Sequence, residues 1–159
     1  MPNKERFEQL HEEYHPMVHQ MCLGFVKGDT DIAKDLTQEV FINTWSAFGK
    51  FKGASSYKTW IYRITVNTCL KYVRGQKTKQ HVTLEDKHDH GAEHTMELPH
   101  QELYEAIGKL NEVDRLIIMM VLDELDYNDI AEVVGINEGT LRVKIHRIKK
   151  NLKKLMNHG

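Results

Sequence analysis

Apolar side chains recur at steps of three and four residues through most of this 159-residue chain, and the recurrence fails once, between residues 76 and 98. That rhythm points to α-helices packed by one face, since a half-buried strand needs an apolar residue at every second position. Before the gap, Phe7, Leu10, Tyr14, Met17, Val18, Met21 and Phe25 line a first helix over residues 4–27, which Pro16 should kink or divide. Asp29 or Thr30 can cap a second helix that turns Ile32, Leu36, Val40 and Trp45 inward. Two glycines in FGKFKGASS break it, and Ser55 or Ser56 starts a third helix that should end near Gly75. Past Pro99 the rhythm resumes in four more helices, at about 100–109, at 112–123, from residue 127, and from Glu138 onward. The expected fold is all-α, two small helical domains at 1–75 and 99–159 joined by a flexible linker at 76–98, with a helix-turn-helix ending the second. The linker is marked by five acids, four histidines and Gly91 where the apolar rhythm is lost.

Charge is segregated along this framework although the formal net charge is only −1. Residues 40–84 contain no Asp or Glu but eight Lys or Arg; residues 101–137 carry nine acids against Lys109 and Arg115; residues 138–159 carry seven Lys or Arg against Glu138 alone. Two basic zones flanked by acidic ones suit a polyanion gripped at two places, because each neutralised phosphate releases counterions while the remaining surface repels. Other classes are disfavoured. The longest apolar run, LIIMMVL, is far shorter than the roughly 20 residues of a membrane span, and the first ten residues lack a signal-peptide apolar region. No membrane insertion is expected, and the cytoplasm is the expected compartment. Cys22 and Cys69 sit among apolar neighbours without CxxC spacing and read as buried, reduced thiols.

The segment YNDIAEVVGINEGTLRVKIHRIKK has the layout of a helix-turn-helix. Ile130, Ala131 and Val134 stripe a first helix, Gly135 turns the chain, Asn137 or Glu138 opens the next helix, and Leu141, Ile145, Ile148 and Leu152 face inward. Gly139, Thr140, Arg142, Val143, Lys144, His146 and Arg147 are left outward, offering donors for base edges and phosphates and small side chains for close approach to a major groove.

DIAKDLTQEVF, a downstream Trp45, the loop FKGASS and WIYRITVN together resemble region 2 of the extracytoplasmic-function (ECF) sigma factors of the bacterial sigma-70 family. LNEVDRLIIMMVLDELDYNDIAEVVG and the helix-turn-helix after it are similar to the same family's region 4, in the family's order, while residues 76–98 match no region 3. The resemblance implies an RNA polymerase sigma factor of a bacterial cytoplasm, without catalytic residues, cofactor or metal. It implies that Asp35, Gln38, Glu39, Phe41 and Ile42 dock on core RNA polymerase, the carboxylates pairing with basic partner residues. It implies too that the acid-free loop and third helix capture the −10 promoter element as it opens. Lys52, Lys58, Arg63, Lys71 and Arg74 would meet the backbone, and Tyr57, Trp60 and Asn67 the unstacked bases. Tyr57 and Trp60 can instead serve as core packing. The outward residues of the last helix would read the −35 duplex, and an anti-sigma factor is implied as a regulating partner.

Two rival readings are compatible with parts of the sequence. A stand-alone helix-turn-helix regulator would bind a palindrome as a dimer without polymerase. HEEYH at residues 11–15 fits the zinc-hydrolase HExxH pattern, with His19 one turn further, but Pro16 follows at once and a set of small helices lacks a peptidase cleft. His81, His88, His90, His94 and His100 could bind metal or respond to pH near 6 to 7.

Overall fold

A computed structural model describes residues 2–80 and 100–157. Seven α-helices account for most of the described residues, with no strand among them. They are α1 (Pro2–Phe25), α2 (Thr30–Ala47), α3 (Tyr57–Gln80), α4 (Gln101–Gly108), α5 (Glu112–Leu122), α6 (Tyr127–Val134) and α7 (Glu138–Asn157), with a single 3-10 turn, Phe48–Lys50, after α2. Most of the expected linker, with His81, His88, His90 and His94, lies outside the described residues; His100 is described and exposed.

Side-chain oxygens start the helices where orphan amides need them. Asp29 accepts from the Ile32 amide at 3.1 Å, Ser56 from Thr59 at 3.1 Å, Asn111 from Asp114 at 2.9 Å and Asn137 from Thr140 at 2.7 Å. Two expected boundaries differ. Pro16 neither ends nor divides α1, which is continuous to Phe25: the proline sits on the exposed side of the helix, where the carbonyl it leaves unbonded faces water. Nor does Gly75 end α3, which continues helically to Gln80, because a glycine inside a helix costs only about 1 kcal/mol.

Helices α1 to α3 form one lobe around Val18, Cys22, Phe25, Val40, Ile61 and Val66, and α4 to α7 a second around Ile107, Leu116, Ile130, Leu141 and Ile145. The lobes are not separate. Their buried side chains make one continuous core, α1 packing on α4 and α5, and α3 on α5 and α6. Gly24 permits a close approach: a β-carbon there would run into Met119 of α5, whose Cγ would stand 2.8 Å away. Arg115 of α5, only 8% exposed, reaches across to the C-terminus of α1. Its Nε donates to the Phe25 carbonyl at 2.9 Å, its Nη1 to the Leu110 carbonyl at 2.6 Å, and its guanidinium lies 5.1 Å from the Phe25 ring. A cation at a helix C-terminus also meets the negative end of the helix dipole.

Candidate nucleic-acid interface

On α3, Trp60, Arg63, Asn67, Lys71 and Arg74 follow one another at steps of three and four, which aligns them as one stripe along the helix. Asn67, Lys71 and Arg74 are exposed, Trp60 and Arg63 partly so, and no carboxylate lies on α3 to oppose them. At the head of the stripe stands an aromatic cluster. Phe51, whose ring centroid is 4.5 Å from Tyr57 and 4.8 Å from Trp60, brings the loop onto the helix, and Phe48 closes the cluster from below. Tyr57 and Trp60 are therefore half-buried: one side of each ring is core packing, and the other remains at the surface. Lys52 is exposed on the loop beside them, next to Gly53.

Lys58 departs from its expected companions. Two residues before Trp60, it lies across the helix from the stripe and faces the second lobe, with Nζ 3.8 Å from Asp123 Oδ2. Tyr62, one turn further, is buried and donates its hydroxyl to the same carboxylate; burial first, and then Asp123, pushes the phenol well above its usual range. Arg63 is also engaged, its Nη2 donating to Glu132 Oε1 of α6 at 2.8 Å. Sequence reasoning missed these seam partners, because nothing local ties residues 123 and 132 to α3.

The helix-turn-helix is built by α6, Gly135 and α7. Gly135 adopts a left-handed backbone (φ 76°), and the amides of Gly135 and Ile136 both donate to the Ala131 carbonyl, at 2.9 and 3.1 Å, closing α6 sharply enough for α7 to cross it. Leu141, Ile145, Ile148 and Leu152 are buried as expected. Gly139, Thr140, Arg142, Val143, His146 and Arg147 are exposed, and Val143 shows 53% of its surface. Two basic residues are held at the flanks. Arg142 lies 5.0 Å from the Tyr127 ring and 3.7 Å from Glu138, and Lys144 is half-buried with Nζ 3.8 Å from Asp114 Oδ1. That Asp114 oxygen is buried with no hydrogen-bond partner among the described residues, so its link to Lys144 is electrostatic. Lys150, absent from the expected set, completes the exposed stripe of Gly139, Val143 and His146 at steps of four, three and four; the spacing alone could have found it.

On α2, Asp35, Gln38, Glu39 and Ile42 are exposed, whereas Phe41 is buried beneath the rings of His11 and His15 at 4.4 and 5.9 Å. Trp45, expected to face inward, is instead the surface aromatic of this face, 49% exposed and edge-on to Phe7 at 5.0 Å, in line with Asp35, Gln38 and Ile42. HEEYH is thus part of a packed helix side: His11, His15 and His19 follow one another along α1, and burial, with His15 adding to it, lowers the pKa of His11 and His19. No group of three or more potential ligands among the described residues could hold a metal ion. Cys22 and Cys69 are free and buried side by side, a hydrogen bond between them and then burial raising the Cys69 thiol. No described helix is long and apolar enough to cross a membrane.

Sigma-70 region 2 matches residues 10–79 and Sigma-70 region 4 matches residues 100–152, so the two family regions fall on the two lobes. The sigma-E factor of Escherichia coli K12, an ECF RNA polymerase sigma factor, is 30% identical over 93% of this chain and 85% of its own length. The chain belongs to the sigma-70 family, in its ECF group. The sigma-H factor of Pseudomonas aeruginosa is similar at 29% identity, over 97% of this chain and 88% of that one. The fold resembles the sigma factor RpoE of Bartonella quintana, solved in complex with the anti-sigma factor NepR, with a TM-score of 0.76 over 96% of this chain and 98% of that one at 22% identity. As an ECF sigma factor the chain is a transcription initiation subunit that binds core RNA polymerase and promoter DNA, and not an enzyme. Neither the stand-alone regulator nor the zinc hydrolase is favoured.

Proposed function

We propose a division of labour among three faces of this sigma factor. Residues 1–75 act as region 2: the α2 face of Asp35, Gln38, Glu39 and Ile42 docks on core polymerase, with Phe41 bracing it from beneath. The stripe of Trp60, Arg63, Asn67, Lys71 and Arg74, with Lys52, Tyr57 and Lys58, takes the opened −10 element. Residues 99–159 act as region 4, with Gly139, Thr140, Arg142, Val143, Lys144, His146 and Arg147 on the −35 duplex. One observation carries this reading: an acid-free helix presents cations, an amide and aromatic surfaces in one line, as a single strand with splayed bases requires. A stacked base contributes about 1–3 kcal/mol, which offsets part of the few kcal/mol spent on unstacking. The protein works in the bacterial cytoplasm. An anti-sigma factor regulates it, a reading supported by the similar fold solved with such a partner.

Run-off transcription with purified core polymerase tests the scheme. On a matched promoter the protein directs a specific transcript, and Asn67→Ala or Lys71→Ala lowers open-complex yield while core binding is kept. Absence of any specific transcript on a panel of promoters sinks the reading.

A further inference from the structure

We propose that Tyr127 is a positioning residue for promoter reading: its ring holds the Arg142 guanidinium beside the first turn of α7, with the donor fork free to read a guanine of the −35 duplex. The inference rests on the assignment of α7 to that duplex. The guanidinium carbon of Arg142 lies over the Tyr127 ring, 5.0 Å from its centroid, within reach of a cation–π attraction. Tyr127 opens α6 and is half-buried against the core, so the ring is a fixed platform. On α7 itself, Arg142 Nη2 stands 3.7 Å from Oε1 of Glu138, one turn earlier. That lean toward the start of α7 sets the guanidinium at the end of a recognition helix that meets base edges.

The contacts that hold Arg142 leave its donors available. A guanidinium seated over a ring is held through its charge and plane, while the N–H groups on its edge can still pair with N7 and O6 of guanine. Glu138, at 3.7 Å, is beyond hydrogen-bond length and attracts the charge without capturing the fork. The Arg142 side chain stays 59% exposed. An arginine already held in place loses less rotamer freedom on docking than an unheld one. Lys144, the other held cation of this helix, leans on Asp114 as a point charge and has no fork to aim.

Selection from a duplex pool randomised across the upstream element, with the full chain bound to core polymerase, measures the base preference at each position, and titrations of the selected duplex give the salt slope. Arg142→Ala should erase a guanine preference at one position, by about fivefold or more. Tyr127→Leu keeps apolar bulk without a π face. It should weaken that same preference about two- to fivefold, with the other preferences, core binding and the slope of log K against log salt unchanged. Tyr127→Phe should match wild type. A merely structural tyrosine would instead lower affinity for all duplexes alike. Should Tyr127→Leu lose its helical circular dichroism, Tyr127→Met takes its place, and combined with Arg142→Ala it should cost no more discrimination than Arg142→Ala alone. Full preference in the leucine or methionine variant overturns the proposal. So does a loss in Tyr127→Phe equal to that in Tyr127→Leu, which would make the hydroxyl itself the contact. If Arg142→Ala reduces the salt slope by about 0.9 with every preference kept, Arg142 holds a phosphate, and the positioning falls while the −35 assignment stands. If Arg142→Ala and Arg147→Ala both leave binding unchanged, that assignment fails and the positioning with it.

Discussion

At the scale of single residues, short polar side chains fix where the helices begin. Asp29, Ser56 and Asn137 cap helices because short oxygen-bearing side chains satisfy amides three residues on, a relation written entirely in adjacent sequence. Phe41 was legible only in part: its place on α2 followed from the resemblance, but its burial depends on His11 and His15, about 30 and 26 residues earlier on another helix. Arg115 was not legible at all. In sequence it is one of two cations among nine acids, whereas its actual partners are the backbone carbonyls of Phe25 and Leu110, the first 90 residues away. Burial lowers its pKa, and the two carbonyls with the Phe25 ring compensate the cost of burying the charge. Arg115→Ala should therefore lower the unfolding free energy by about 2–4 kcal/mol, since it strands two buried acceptors and leaves a void. Arg115→Lys keeps charge without the fork and should recover only part of that loss in urea titrations. A loss below about 0.5 kcal/mol for the alanine variant would mean that water satisfies both carbonyls.

At the scale of elements, periodicity carried most of the information. It placed the buried edge of α7 correctly, because Leu141, Ile145, Ile148 and Leu152 repeat at helical steps without interruption. It was less informative about which outward residues are free: Arg142 and Lys144 are drawn to Tyr127 and Asp114, partners that only the folded lobe brings near. The exposed line of Val143, His146 and Lys150, with Arg147 beside it, is the part of α7 best placed to enter a groove. Arg147→Ala and Lys150→Ala should each weaken binding to duplex DNA with little regard to sequence and reduce the slope of log K against log salt by about 0.9. Val143→Ala should leave that slope unchanged while altering preference among duplexes, because a side chain without charge releases no counterion. Titrations at several salt concentrations separate the two outcomes; a slope unchanged by Arg147→Ala removes that residue from the phosphate contacts.

At the scale of the whole molecule, the charge pattern announced two basic zones, but nothing in it foretold that the lobes would share a core. Such contacts pair helices far apart in sequence, and neither lobe needs the other to satisfy its own periodicity. What holds the lobes together follows from magnitudes. Exposed ion pairs such as Lys58 with Asp123 and Arg63 with Glu132 contribute about 0–1 kcal/mol each. Burial of a side chain such as Met119, 5% exposed against α1, contributes about 1.5–3 kcal/mol, and Arg115 adds to it from within. Apolar closure should thus dominate, with the ion pairs at the seam adding little to it. Scanning calorimetry distinguishes the two. A shared core predicts one cooperative transition whose calorimetric and van't Hoff enthalpies agree, at low salt and equally at 1 M salt, where the Debye length falls to about 3 Å. Gly24→Leu should resolve it into two transitions, one for each lobe. Two transitions appearing in the wild type at 1 M salt alone would instead make the ion pairs the closure, and the lobes would then part in response to ionic strength.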